Sequence, residues 1–394
     1  MTALSMPAEV GRVRQRALAV GLVGLALCGV GLFVDRGQVF RSWLFAFLFW
    51  IGVAVGCLSI LMIQHLTGGL WGLAIRRILE AGSRTLRYAW ILFLPLVAGL
   101  GHVFVWANPQ ALEADEHLKH AVEQKHLYLN PMSFLGRAAF YFVVWAVLAH
   151  LLSQLSLRQD GGWTRKVARQ LRGLSGGGLL LMGFTITFSS VDWAMSLDPR
   201  WFSHIWGVLF MVGQALSAMA LCIILIARIG GEEPLSRAAV PQTVHDLGKL
   251  MFAFVMLWAY LNLSQFLIIW SGNLPEEIPW YIQRLQGGWQ VLAMLLLLAH
   301  FVLPFLLLLS RELKRNARLL ASVASVILLM RVVDLYWLVG PELHKPGFSI
   351  HWLDLAALAG VGGLWNFLFT RELMDRPLLP VGDPELEEAV GDVG

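Results

Sequence analysis

The chain has 394 residues, 57% of them hydrophobic and only 14% charged, with a mean hydropathy of +0.66; apolar runs of about 20 residues recur throughout, which excludes a soluble globular or disordered chain. The net charge of +4 and isoelectric point near 9.1 do not signal nucleic acid, because the basic residues are spread over short connections rather than gathered in one stripe. Cys28, Cys57 and Cys222 each stand alone in an apolar run, leaving neither a disulfide framework nor a thiolate metal site, and there is no Cys-x-x-Cys-His haem attachment or P-loop.

In chain order, the apolar runs predict ten membrane-spanning helices at roughly 17-34, 42-66, 86-106, 132-156, 173-194, 203-227, 248-270, 288-310, 318-340 and 350-370. Arginines precede the first run but no small-residue cleavage site follows it, so 17-34 is expected to be a retained helix behind an arm over 1-16. Lys and Arg on alternate sides number 21 against 7, with Arg137 and Arg331 left inside spans. Both termini are therefore expected in the cytoplasm. The expected fold is an all-α polytopic membrane protein with one domain over 17-370 and an acidic tail over 371-394.

Ahead of the third span, Trp71, Ile75, Ile78, Leu79 and Leu86 recur at helical spacing opposite Arg76, Glu80, Arg84 and Arg87. This pattern predicts an amphipathic helix lying in the cytoplasmic interface. In the outer segment 113-126, His117, His120, Glu113 and Glu116 have donor chemistry, but their i, i+3 spacing fixes no fourth ligand, and a solvated surface helix explains them. A weak internal repeat is visible: Val191-Asp192 stands seven residues before Pro199 and Val333-Asp334 seven before Pro341, and Phe202-Ser203-His204 is echoed by Phe348-Ser349-Ile350-His351. Such a repeat suits two four-helix bundles made of spans 2-5 and 6-9, with two peripheral helices.

Ionisable residues inside spans are functional candidates, because hydrocarbon cannot solvate them. His102, Arg137, Asp192, His204, Asp334 and Asp354 fall near the outer face; His65, His150, His245, Asp246, Lys249 and His300 fall near the cytoplasmic face. Arg331 lies roughly 20 Å along its helix at 1.5 Å per residue. Thr185, Ser189 and Asp192 climb one face of span five, and Tyr260, Ser264 and Gln265 are neighbours on span seven.

Three functional readings follow. A carboxylate hydrogen-bonded toward a histidine can accept the proton of a quinol, and Asp192 with His204, near His102 and Arg137, are the candidates. The plainer reading pairs Asp192 with Arg137 and leaves His204 as a turn residue at the interface. A proton path would join the two polar groups through hydroxyls, with Asp334, Arg331, Asp354, Thr185, Ser189, Tyr260, His65, His150, His300, Asp246 and Lys249 as candidates and Arg331-Asp334 as gate. The plainer reading of Arg331 and Asp334 is an i, i+3 ion pair that lowers its own burial cost. A bis-histidine haem b would recruit His65, His150 and His300, although no two of them recur as a repeated pair.

Two runs carry a family resemblance: Gln64-His65-Leu66-Thr67-Gly68-Gly69-Leu70-Trp71-Gly72-Leu73, followed by Arg76-Arg77 and Glu80-Ala81, and Ser190-Val191-Asp192-Trp193-Ala194-Met195-Ser196-Leu197-Asp198-Pro199. Together with length and span count, they resemble the ActF family of membrane subunits of bacterial alternative complex III, within the NrfD/PsrC-like superfamily. The resemblance implies two four-helix bundles plus two peripheral helices in a quinol-oxidising assembly of the bacterial inner membrane. It places haem c and iron-sulfur clusters on multihaem cytochrome and iron-sulfur partner subunits, beside a homologous NrfD-like membrane subunit and lipid, with no cofactor held in this chain. It also implies a share in scaffolding and proton translocation. The sister ActC subunits are assigned an outer-face quinol site at an Asp on span five followed by a histidine. Here the residue after Asp192 is Trp193 and the turn carries charged Asp198 and Arg200, departures that point to a vestigial site. An independent secondary transporter or channel is the alternative, although prolines cluster at span ends apart from Pro95 and Pro304.

Overall fold

The computed structural model describes residues 8–344 and 347–380. The expected arm over 1-16 and acidic tail over 371-394 lie partly outside the described residues, as does Lys345.

Among the described residues, nine helices are long and apolar enough to cross a membrane. They are α1 (Ala8–Val34), α2 (Arg36–Thr67), α5 (Pro131–Asp160), α6 (Arg165–Trp193), α7 (Trp206–Ile229), α8 (Pro241–Gly272), α9 (Trp289–Leu309), α10 (Ala317–Leu343) and α11 (Trp352–Met374). Two shorter helices, α3 (Leu70–Arg84) and α4 (Ala89–Ala98), connect α2 to a segment that holds Pro109–Ala114 and Glu116–Gln124. This is the architecture of an all-helical, multi-pass membrane protein.

The sequence punctuates these helices with side chains that satisfy orphaned N–H groups at helix starts. Asp35 caps α2, Asn130 with Pro131 opens α5, Thr164 caps α6 and Asn316 caps α10. His351 and Asp354 form a reciprocal capping box at α11.

The expected third span, 86-106, is broken. A 3-10 turn at Thr85–Tyr88 leads into α4, which carries Pro95 and ends at Gly99; a single turn at Leu100–Val103 and a 3-10 turn at Val105–Ala107 follow. Proline removes one ladder hydrogen bond and glycine lowers helix propensity, so two breakers within five residues stop the helix.

Helix α2 is the hub, buried nearly end to end against α3, α6, α7 and α11. A helix apolar on every side belongs at the centre of such a bundle. Around it α5 packs on α6 and α6 on α7; α7 packs on α8 and α10, and α9 bridges α8 and α10. Helix α4 touches α2 and α5. Helix α1 lies on the outside against α11, where a Cβ at Gly24 would stand 2.4 Å from the Gly360 nitrogen, so only small residues allow the two backbones to meet.

Two sequence expectations change. Helix α3 does not lie in the interface with its polar face in solvent: Arg76, Arg77, Glu80 and Arg84 are as buried as Ile75 and Leu79, because α5 and α11 cover that face. The internal repeat is also unequal. Asp192 is the penultimate residue of α6, whereas α10 continues past Asp334 and through Pro341 to Leu343.

Candidate functional site

Three polar clusters emerge at different depths. The first is at the centre of the helix bundle. Arg331 and Asp334, one turn apart on α10, form a buried ion pair, and Trp258 of α8 donates its Nε1 hydrogen to Asp334 Oδ2 at 3.2 Å. The indole meets His300 of α9 edge to face, with ring centroids 4.2 Å apart. His300 is 0% exposed and neither ring nitrogen has a hydrogen-bond partner among the described residues. It sits on a π-helical stretch, Leu296–Val302, a departure from α geometry that often accompanies function.

His300 therefore belongs with Arg331 and Asp334 and not with His65 and His150, since it lies midway along α9. The guanidinium of Arg331 lies against α7: a Cβ at Gly213 would stand 2.0 Å from its Nη2. The next residue, Gln214, lines a small cavity of about 10 Å³ together with Ser189, Ser190 and Trp193. That space is of the order of one water. Gln214 Oε1 and Trp193 Nε1 are buried without hydrogen-bond partners among the described residues, so the cavity wall is polar.

The second cluster surrounds Asp192, which is 0% exposed. Arg137 reaches it from α5 through Nε at 3.0 Å and Nη2 at 2.8 Å, and the Tyr141 hydroxyl donates to it at 2.7 Å. Arg137 also stacks over the Tyr128 ring at 3.7 Å and donates to the Tyr128 carbonyl. The carboxylate is thus fully engaged by α5. His204 is exposed on the following turn, edge-on to Phe202, and no hydrogen bond or ion pair joins it to Asp192 among the described residues. The expected Asp192-His204 pair is not formed; the short turn holds a 3-10 segment at Met195–Leu197 that separates them. His102 is likewise exposed, stacked on Phe40. The charged turn residues engage one another, Arg200 with Asp198 at 2.9 Å and with Asp115 at 3.3 Å.

The third cluster encloses α3. Glu80 is 1% exposed and lies among Arg77 at 2.6 Å, Arg76 at 3.6 Å, Arg376 at 3.6 Å and the Ser156 hydroxyl at 2.5 Å. Arg77 also pairs with Asp160, and Arg76 donates to Gln159 at 2.7 Å. Arg84 and Arg87 share Glu372 of α11. Burial alone would raise the Glu80 carboxyl, but Arg77, Arg76 and the Ser156 hydrogen bond hold it below its ordinary 4.5. Burial, with Arg376 nearby, pulls Arg84 down to about 10, so it stays charged at neutral pH.

The remaining candidates separate. Thr185 accepts from Trp145 Nε1 at 2.9 Å and donates to Leu181, and Ser189 donates to Ile186, so both hydroxyls serve the helix. Tyr260 is 66% exposed and points away from the bundle, which removes it from any internal path. Asp354 accepts from Ser42 at 2.5 Å, Gln38 at 3.2 Å and the His351 backbone at 2.9 Å, an end-of-helix role. Asp246 and Lys249 form an i, i+3 pair at 2.6 Å on the partly exposed start of α8. His65 lies beside Arg76, Arg77 and Glu80, and His150 is exposed on α5. With His300 in the central cluster, the three histidines occupy three separate environments and do not form a bis-histidine pair.

Sequence reasoning missed Trp258, Gln214 and Arg284. Arg284 is 0% exposed, stacked at 3.5 Å over Trp280 and donating to the Leu338 carbonyl at 2.6 Å. A lone amide inside an apolar span, as at Gln214, was the available signal. Among the described residues no group of three or more His, Cys, Asp or Glu could hold a metal ion. No family model and no curated protein matches the chain.

Proposed function

We propose that this chain is an integral subunit of a quinol-oxidising electron-transfer complex in a bacterial inner membrane, where it scaffolds the assembly and carries protons. In this reading the broken segment Thr85–Ala107 completes ten crossings, both termini lie in the cytoplasm, and the helices group as two bundles, α2 with α4 to α6 and α7 with α8 to α10. Partner subunits, a homologous NrfD-like membrane protein, a multihaem cytochrome and an iron-sulfur protein, hold the haem c and clusters, while this chain holds no redox centre.

The observation that supports proton transfer is the convergence of His300, Trp258, Arg331 and Asp334 from three helices at mid-bundle. A neutral imidazole takes a proton on one ring nitrogen and releases another from the opposite one. A proton reaching Asp334 would neutralise the carboxylate and free Arg331, which is how a buried ion pair gates charge. The nearby polar cavity at Gln214, Ser189 and Ser190 supplies a water-sized step toward Asp192. Asp192 itself, locked by Arg137 and Tyr141, fits an architectural remnant of a quinol site better than a working one.

A solitary secondary transporter is the second reading, favoured by the interruptions near the two proline positions inside spans, Pro95 in the broken segment and Pro304 just after the π-helical stretch. Purification from native membranes separates the two. Co-purifying multihaem cytochrome and iron-sulfur subunits support the complex; a protein that purifies alone and moves a solute in vesicles refutes it.

A further inference from the structure

A groove lies between α4 and α5 and ends at the outer edge of the third cluster. Its apolar part, about 410 Å³, is lined by Trp90, Phe93, Leu94, Leu135, Phe142 and Val143 among others. A second cavity of about 420 Å³ lies at its end, lined by Arg84, Arg87, His150, Ser153, Glu372 and Arg376 among others. The two share Arg87 and Ala146, so they form one amphipathic channel along α5.

Its dimensions follow from helix geometry. From Leu135 to Ala146 the apolar part runs about 16 Å at 1.5 Å per residue, roughly half of a 30 Å hydrocarbon core. One leaflet's acyl chain has that reach. The polar end presents the guanidinium groups of Arg84, Arg87 and Arg376 against the carboxylates of Glu372 and Asp375. Glu372 is 3% exposed and already held by Arg84 and Arg87. The Arg87 side chain is 49% exposed, and a guanidinium has five N–H donors, more than its single ion pair consumes. Three guanidinium groups face two carboxylates there, and Arg376 is also engaged by Glu80 and Ser153, so the available donors are those of Arg87; a guanidinium at the mouth of a leaflet-deep apolar groove matches a phosphodiester joined to acyl chains, since guanidinium groups bind phosphate through paired, charge-assisted hydrogen bonds.

We propose that this groove is a binding site for an anionic phospholipid, its phosphate at Arg87 and an acyl chain along Trp90 and Val143. A neutral quinone can accept a hydrogen bond there but lacks the charge that makes a phosphate–guanidinium contact strong. The site requires only membrane embedding and is independent of the redox reading.

Native mass spectrometry of the full chain in neutral detergent tests it, with phosphatidylglycerol, phosphatidylcholine of the same chains, and ubiquinone as probes. The expected result is preferential retention of phosphatidylglycerol, reduced about fivefold by Arg87→Gln and recovered in Arg87→Lys. Val143→Trp, at a position 60% exposed on the groove wall, is expected to lower retention of both lipids without touching a charge. Equal retention of the two lipids by the wild type, undiminished phosphatidylglycerol in folded Arg87→Gln or Val143→Trp, or displacement by ubiquinone at equal concentration would each overturn the assignment.

Discussion

Replacing Glu80 by Gln isolates the energetic consequence of burying the polar face of α3. The carboxylate is 1% exposed and lies within 4 Å of Arg76, Arg77 and Arg376. The amide keeps the shape and a hydrogen bond toward Ser156 but removes the negative charge that those three guanidinium groups share; Arg77 retains Asp160. Removing one partner of a buried pair costs about 3–5 kcal/mol, whereas an exposed i, i+4 helix pair contributes about 0.3–0.5 kcal/mol. The retained Asp160 contact puts Glu80→Gln near 3 kcal/mol, at the lower end of that range. The buried thiols of Cys28, Cys57 and Cys222 provide the assay, because a thiol-reactive dye reports their exposure on unfolding. Since the folded-state carboxyl is depressed below 4.5, its contribution is complete above that value and is lost as pH falls through the folded-state pKa. Glu80→Gln is therefore expected to flatten the acid limb of the stability profile as well as lower the plateau. A change below about 1 kcal/mol, with an unaltered acid limb, would mean that α3 keeps its charges in solvent after all.

Other substitutions probe the remaining clusters. Gly213→Ala puts a methyl 2.0 Å from Arg331 Nη2 and is expected to displace the guanidinium, destabilising the chain by about 1–3 kcal/mol in the same dye assay. Asp192→Asn and His204→Ala are expected to act independently, with a coupling within about 0.5 kcal/mol in a double-mutant cycle. A larger coupling would restore the carboxylate-histidine pair that the geometry separates.

The long spans were legible because an apolar run of some 20 residues has few alternatives to crossing the bilayer. The third expected span was not, because Pro95 and Gly99 act through backbone geometry that mean hydropathy ignores. In α3 the sequence displays two faces but not what covers them; α5 and α11 turn an apparent interfacial helix into a buried one, through residues 70 or more positions away. Arg137 was legible as the partner of Asp192, since both are isolated charges expected at one depth, and the plainer reading of that pair and of Arg331-Asp334 matches the contacts formed. That His300 packs on Trp258 and stands near Arg331 was not legible, because those residues arrive from other helices.

The proposed proton transfer through the central cluster is tested most directly by Asp334→Asn in the proposed complex, purified from native membranes, reconstituted in vesicles and measured for protons moved per quinol oxidised. Asn keeps a hydrogen-bond acceptor for Trp258 but cannot be protonated near neutral pH, so the ratio is expected to fall at least several-fold while quinol oxidation stays near the wild-type rate. Equal loss of both, or an unchanged ratio, would reduce Arg331 and Asp334 to a structural ion pair.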